Sequence, residues 1–130
     1  MRVGLALSDE TRTISQPHLT LVGLRERALL EAIARVVHEQ EVVGVVVGLP
    51  LRMSGERGPE AEGAAELGRL IAAETGLDVG FCDERLTTRQ AQKEMLASGD
   101  SRQRRRQAGD RVAAALLLQT VLAGGPVRPW

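Results

Sequence analysis

The run Val42 to Leu49 reads Val-Val-Gly-Val-Val-Val-Gly-Leu, with no polar or charged side chain. A strand with one wet face alternates apolar and polar residues, whereas a continuous β-branched run belongs to a strand covered on both faces. This segment is therefore expected to be central. After Pro50 come a loop with Gly55 and Gly58, Pro59 as a first helical residue, a helix to about Thr75 and Gly76 as its stop. Leu77 to Cys82 is the next strand. Strand, helix and strand within ~40 residues form a βαβ unit, whose two strands are parallel with a right-handed connection. Their carboxyl ends then share an edge, where open α/β sheets gather ligands.

The remaining segments fit one compact α/β unit. Val3 to Ser8 is a short apolar strand, and Leu19 to Val22 a second one beyond the turn-like stretch Asp9 to Gln16, which allows an antiparallel pair. Leu24 to Gln40 carries Ala28, Leu29, Ala32, Ile33, Val36 and Val37 on one stripe, opposite Arg25, Glu26, Arg35 and Glu39, so it is an amphipathic helix. Thr87 and Gln90 make a capping box for a helix to about Ala97, closed by Gly99. A last helix spans about Gln107 to Ala123. Residues 1–125 are expected to form a single domain and residues 126–130 a mobile tail.

Composition excludes several classes. The one cysteine, Cys82, rules out an internal disulfide scaffold and suits a reducing compartment. No apolar run approaches the ~20 residues of a membrane span, and the start lacks signal-peptide character, so a cytoplasmic chain with no membrane partner is expected. Seventeen basic and 17 acidic residues cancel, leaving charge distribution as the only electrostatic argument for nucleic acid. His18 and His38 lack metal-ligand spacing, and no glycine-rich phosphate loop is present.

Two acidic positions stand out. Asp83-Glu84-Arg85 ends the second parallel strand, on the ligand-gathering edge, although a solvated acidic turn explains the spacing equally well. Asp110 shares a helix face with Ala114, Leu117 and Val121, and a carboxylate on an apolar face needs a cation, a metal or a proton. Arg106, one turn earlier, is a candidate cation for a structural ion pair. The cluster Arg102, Arg104, Arg105 and Arg106 suits phosphate contacts or a solvated helix entrance. Gly48-Leu49-Pro50-Leu51, ending the central strand, permits a close backbone or ligand approach.

In order along the chain, Arg2-Val3-Gly4-Leu5-Ala6-Leu7-Ser8-Asp9, Val45-Val46-Val47-Gly48-Leu49-Pro50-Leu51, Asp83-Glu84-Arg85-Leu86-Thr87-Thr88 and Gly109-Asp110-Arg111-Val112-Ala113-Ala114-Ala115 resemble the YqgF/RuvX family. The resemblance implies an RNase H-like mixed sheet flanked by helices. It also implies a metal-dependent nuclease of the kind assigned to Holliday junction resolution and pre-16S rRNA maturation. By the family pattern, Glu84 and Asp110 are the catalytic acids and ligands of Mg2+ or Mn2+, with Asp83 a less certain neighbour. Arg85, Arg104, Arg105 and Arg106 become nucleic-acid contacts. The family's first strand, with its Asp-x-Gly, would precede the stretch matching Arg2 to Asp9. Either a first catalytic Asp lies upstream, which is the favoured expectation, or Met1 to Asp9 takes the central place parallel to the next strand and brings Asp9 to the catalytic edge.

The function expected is thus cleavage of phosphodiester bonds in structured nucleic acid, an RNA precursor or branched DNA, with a homodimer allowed. The alternative is a catalytically impaired nucleic-acid-binding module with the same fold. A nucleotide-binding protein is disfavoured by the absent phosphate loop.

Overall fold

The computed structural model describes residues 2–86 and 102–128; the side chains of residue 86 and residues 102–108 lie outside that description. The helix expected from Thr87 to Ala97 also lies outside the described residues. The protein is mixed α/β: strands β1 (Arg2–Ser8) and β2 (Ser15–Val22), helix α1 (Glu26–Glu39), strand β3 (Val45–Leu49), helix α2 (Pro59–Thr75), strand β4 (Val79–Asp83), a 3-10 turn (Glu84–Leu86) and helix α3 (Arg102–Leu122). These elements fall into two compact units, one of β1, β2 and α3 and the other of α1, β3, α2 and β4. No described helix is long and apolar enough to cross a membrane.

In the first unit β1 and β2 form an antiparallel ladder running from Arg2 opposite Val22 to Ser8 opposite Ser15. Strand β2 begins four residues earlier than the expected Leu19. A register shift after Leu5, which pairs with Leu19 while Ala6 pairs with Pro17, leaves His18 as the extra residue of a bulge. Bulges tolerate a proline without an amide proton, so Pro17 does not end the strand. Helix α3 then packs on both strands, burying Ala115 and Leu117. Its side of the contact is fixed at the start of β2: Ser15 donates from its amide to Gln119 Oε1 at 3.0 Å and from its hydroxyl to the Ala115 carbonyl, while Gln119 donates to the Thr13 carbonyl at 2.9 Å.

In the second unit β3 and β4 pair in parallel from Val45 opposite Val79 to Leu49 opposite Asp83, as the βαβ pattern requires. Strand β3 starts at Val45, not Val42, because helix α1 ends in a wrap: Glu41 adopts a positive φ of 53° and Val42 donates its amide to Val37. Val43 consequently sits in solvent. Helix α2 opens at Pro59 and closes at Gly76, in the left-handed conformation a glycine takes most readily. It covers β3 and β4 with Ala61, Ala65, Gly68 and Ile71 buried, and α1 adds Leu29, Leu30 and Ile33 to the same core. The segment beyond Pro126, read from sequence as a tail, carries an antiparallel bridge: Arg128 exchanges two backbone hydrogen bonds with Phe81, at 2.9 and 3.0 Å.

Two glycines of α2 test this packing in opposite directions. A methyl group at Gly68 would fall 2.5 Å from the buried Phe81 ring, whereas at Gly63 it would meet nothing. Gly63→Ala is expected to stabilise the protein by up to ~1 kcal/mol through helix propensity. Gly68→Ala is expected to destabilise it by about 1–2 kcal/mol, because crowding of the ring exceeds that gain. Urea unfolding of the two variants, side by side with the parent, reads both signs.

Candidate functional site

The approach of β1 to α3 determines the surroundings of Asp110. A Cβ at Gly4 would collide with the Asp110 carbonyl, so the two backbones touch where only glycine fits. That contact pins Asp110 beside the first residue of β1, and Arg2 Nε lies 3.5 Å from Asp110 Oδ2. The pairing is loose. Both side chains are partly shielded, Asp110 at 28% exposure and Arg2 at 42%, yet Oδ2 is buried and has no hydrogen-bond partner among the described residues. Arg111, the next residue of α3, donates to the Thr20 hydroxyl at 3.3 Å.

Burial raises the Asp110 pKa above the ordinary carboxylate value, and the attraction of Arg2 and then of Arg111 only partly opposes it. Desolvation penalises the charged form more than one long ion pair relieves it. A carboxylate held in this condition is short of positive charge. The side chain of Arg106, the candidate cation read from helical spacing, lies outside the described residues; among the described residues Arg2, on a different element, is the cation beside Asp110.

Asp9 is placed elsewhere and occupied otherwise. It follows the far end of β1, so with ~3.3 Å per strand residue it lies about 20 Å along the ladder from Arg2. Its carboxylate accepts the hydroxyls of Thr11 and Thr13 and the amides of Thr13 (2.8 Å) and Ile14 (3.0 Å). These bonds, with that of Thr11 foremost, hold its pKa well below the usual carboxylate range. Strand β1 pairs antiparallel with β2, and the Asp9 carboxylate is engaged in the closed turn between them, so Asp9 is a turn-forming residue.

Asp83 is the last residue of β4, opposite Leu49, and Glu84 opens the 3-10 turn directly after it; both are half-buried, while Arg85 is exposed. Glu84 thus stands at the carboxyl end of a parallel strand, where the sequence pattern put it. Beside it on the ladder, Leu49 is buried and Leu51 donates back to its carbonyl at 3.0 Å, which closes the Gly48 to Leu51 turn on itself. Arg104, Arg105 and Arg106 are within α3, which starts at Arg102 and not at Gln107; their side chains lie outside the described residues. Among the described residues no three His, Cys, Asp or Glu side chains gather into a metal cluster. Arg2 is the site residue that single-residue reasoning missed, and its signal was its place at the head of the first matched stretch.

Comparison with known proteins points one way. The family described as "RuvX: Holliday junction resolvase" matches residues 1–124. A protein of Cereibacter sphaeroides named "Putative pre-16S rRNA nuclease" is 42% identical over 123 residues, covering 92% of this chain and 75% of its own length. Proteins of the same name from Moorella thermoacetica and Clostridioides difficile are 42% and 36% identical over 120 residues, covering 86% and 85% of their lengths.

The two aspartates should respond to pH with opposite signs. Asp9 has a depressed pKa, so its contribution to stability is present above its ordinary value of 3.8 and lost as pH falls. Asp110 has a raised pKa, so the folded state favours its protonated form and loses stability as pH rises through that value. Thermal melts in chelator at pH 7 should therefore show Asp9→Ala below the parent and Asp110→Asn level with it or a few degrees above. Both differences should shrink toward zero as the pH is taken down through the carboxylate range.

Proposed function

Because the chain belongs to the RuvX family, which is RNase H-like, we propose that this polypeptide is a metal-dependent nuclease that hydrolyses phosphodiester bonds in structured nucleic acid, a pre-16S rRNA or a Holliday junction. The observation that carries the proposal is the buried Oδ2 of Asp110, an anionic oxygen with no hydrogen-bond donor among the described residues. A hard divalent cation seeks such oxygen ligands, so a buried carboxylate oxygen fits Mg2+ or Mn2+ at Asp110, and Glu84, at the carboxyl end of β4, is proposed as the second acid. When bound, such an ion supplies an activated water and charge stabilisation of the leaving oxygen.

The chain's own contribution is positioning. The Gly4 contact holds the Asp110 carboxylate at the head of β1, and the partly buried setting strengthens its attraction for any cation that arrives. Arg2 and Arg111 flank it, giving a positive rim suited to phosphate oxygens. Arg85, exposed next to Glu84, and Arg104, Arg105 and Arg106 are proposed as further phosphate contacts. A cytoplasmic setting suits the buried thiol of the chain's single cysteine.

A second reading, an RNase H-like module that binds nucleic acid without cutting it, is favoured by one observation: Asp9, the acid on β1, is consumed by its own turn. Cleavage separates the two. With Mn2+ present, the parent should cut a pre-16S rRNA substrate or a four-way junction, and Glu84→Gln and Asp110→Asn should each abolish cutting while the protein remains folded. Asp9→Asn should leave it intact. Full activity in either of the first two variants sinks the assignment of the acids.

The arginine cluster has its own readout. Replacing Arg104, Arg105 and Arg106 with Ala should weaken binding of all nucleic acids alike. It should also flatten the salt dependence of affinity, by roughly one unit of log-log slope for each phosphate that is no longer neutralised. An unchanged slope in a folded variant returns the cluster to a solvated helix surface.

A further inference from the structure

We infer that Arg2 is a resident counter-ion that occupies the electrostatic place of the divalent cation at Asp110 and must give way when that cation binds. The inference rests on the metal-binding role proposed for Asp110 and adds a residue that controls it.

Four features of the structure support it. Arg2 is the only cationic side chain within ion-pair distance of Asp110 among the described residues. Its contact is made to Oδ2, the oxygen with no hydrogen-bond donor, and at 3.5 Å the guanidinium lends charge without making a bond. Arg111, the other nearby cation, is drawn aside to the Thr20 hydroxyl. Arg2 is also the first residue of β1 and its side chain is 42% exposed, so the guanidinium can swing into water on its flexible stem without disturbing the ladder or α3.

An interaction of this kind is easy to displace. A structural ion pair that locks a helix onto a strand is short and bidentate, with both carboxylate oxygens satisfied. Here the carboxylate is anchored by backbone packing at Gly4, independently of Arg2, and the guanidinium only compensates its charge. Two cations cannot share one buried oxygen without mutual repulsion, so Arg2 sets a threshold for metal entry. Once displaced, its positive charge remains at the rim, where a substrate phosphate would offset it. Metal and polyanion should then bind with positive coupling.

The test is the affinity of the whole chain for Mn2+ alone, without nucleic acid, by isothermal titration calorimetry at one fixed pH. Arg2→Ala and Arg2→Gln should each bind Mn2+ about tenfold more tightly than the parent, the order expected when one elementary charge is removed beside a doubly charged ion near the surface. Arg2→Lys, which keeps the charge, should stay close to the parent. Asp110→Asn should lose the binding. Arg2→Gln preserves much of the side-chain length and a hydrogen-bonding head, so it gives a reading even if Arg2→Ala folds poorly. Parent-like or weaker Mn2+ affinity in the Arg2→Gln variant, with Asp110→Asn silent, overturns the role of Arg2 and leaves the metal site standing. Undiminished binding in Asp110→Asn overturns the metal site, and the role of Arg2 with it.

Discussion

The backbone contact between Gly4 and the carbonyl of Asp110 governs the first unit of this protein. No side chain intervenes there, so α3 lies on β1 at the shortest distance two backbones allow. That approach fixes which residue of α3 faces the head of β1, half-buries a carboxylate and places Arg2 against it. The rest of the helix follows from the same alignment. Ala115 and Gln119 come to the far end of the hairpin, where Ser15 and Thr13 receive them, while Arg111 meets Thr20 near the head.

The hairpin therefore has two polar ends that treat their aspartates in opposite ways. At one end Asp9 is surrounded by hydroxyl and amide donors and is held firmly charged; at the other Asp110 has a buried oxygen with no donor. Saturation makes the first carboxylate structural, and deprivation leaves the second short of positive charge. The same side chain acquires different chemistry from the count of donors aimed at it.

Much of this was legible in the sequence. Val42 to Leu49 announced a covered strand, Pro59 and Gly76 marked both ends of α2 because each meets a local backbone requirement, and the apolar face around Asp110 made that residue conspicuous. What was illegible involves partners distant in the chain. Ser15 to His18 look like a turn until one knows that a bulge opposite Leu5 and Ala6 absorbs Pro17, and that Gln119 waits far along the chain to meet Ser15. Likewise, local spacing can point only to helical neighbours such as Arg106, whose side chain lies outside the described residues. Arg2 comes from another element and is brought there by a glycine's missing side chain. The engagement of Asp9 by Thr11, Thr13 and Ile14 is a local turn whose hydroxyl and amide geometry short apolar runs do not encode.

The bridge between Arg128 and Phe81 has a bearing on how the protein behaves in crowded solution. Strand β4 gives one side to β3, and Phe81 turns its amide and carbonyl to the other side, where Arg128 receives both. Val127 fills the space above Gly80, where a Cβ would collide with it. Val127 and Arg128 thus cover a side of β4, with a charged side chain on a spot where another polypeptide could otherwise add itself. Loss of the Arg128 bridge would trade that covered side for a self-association surface while the site residues stayed untouched.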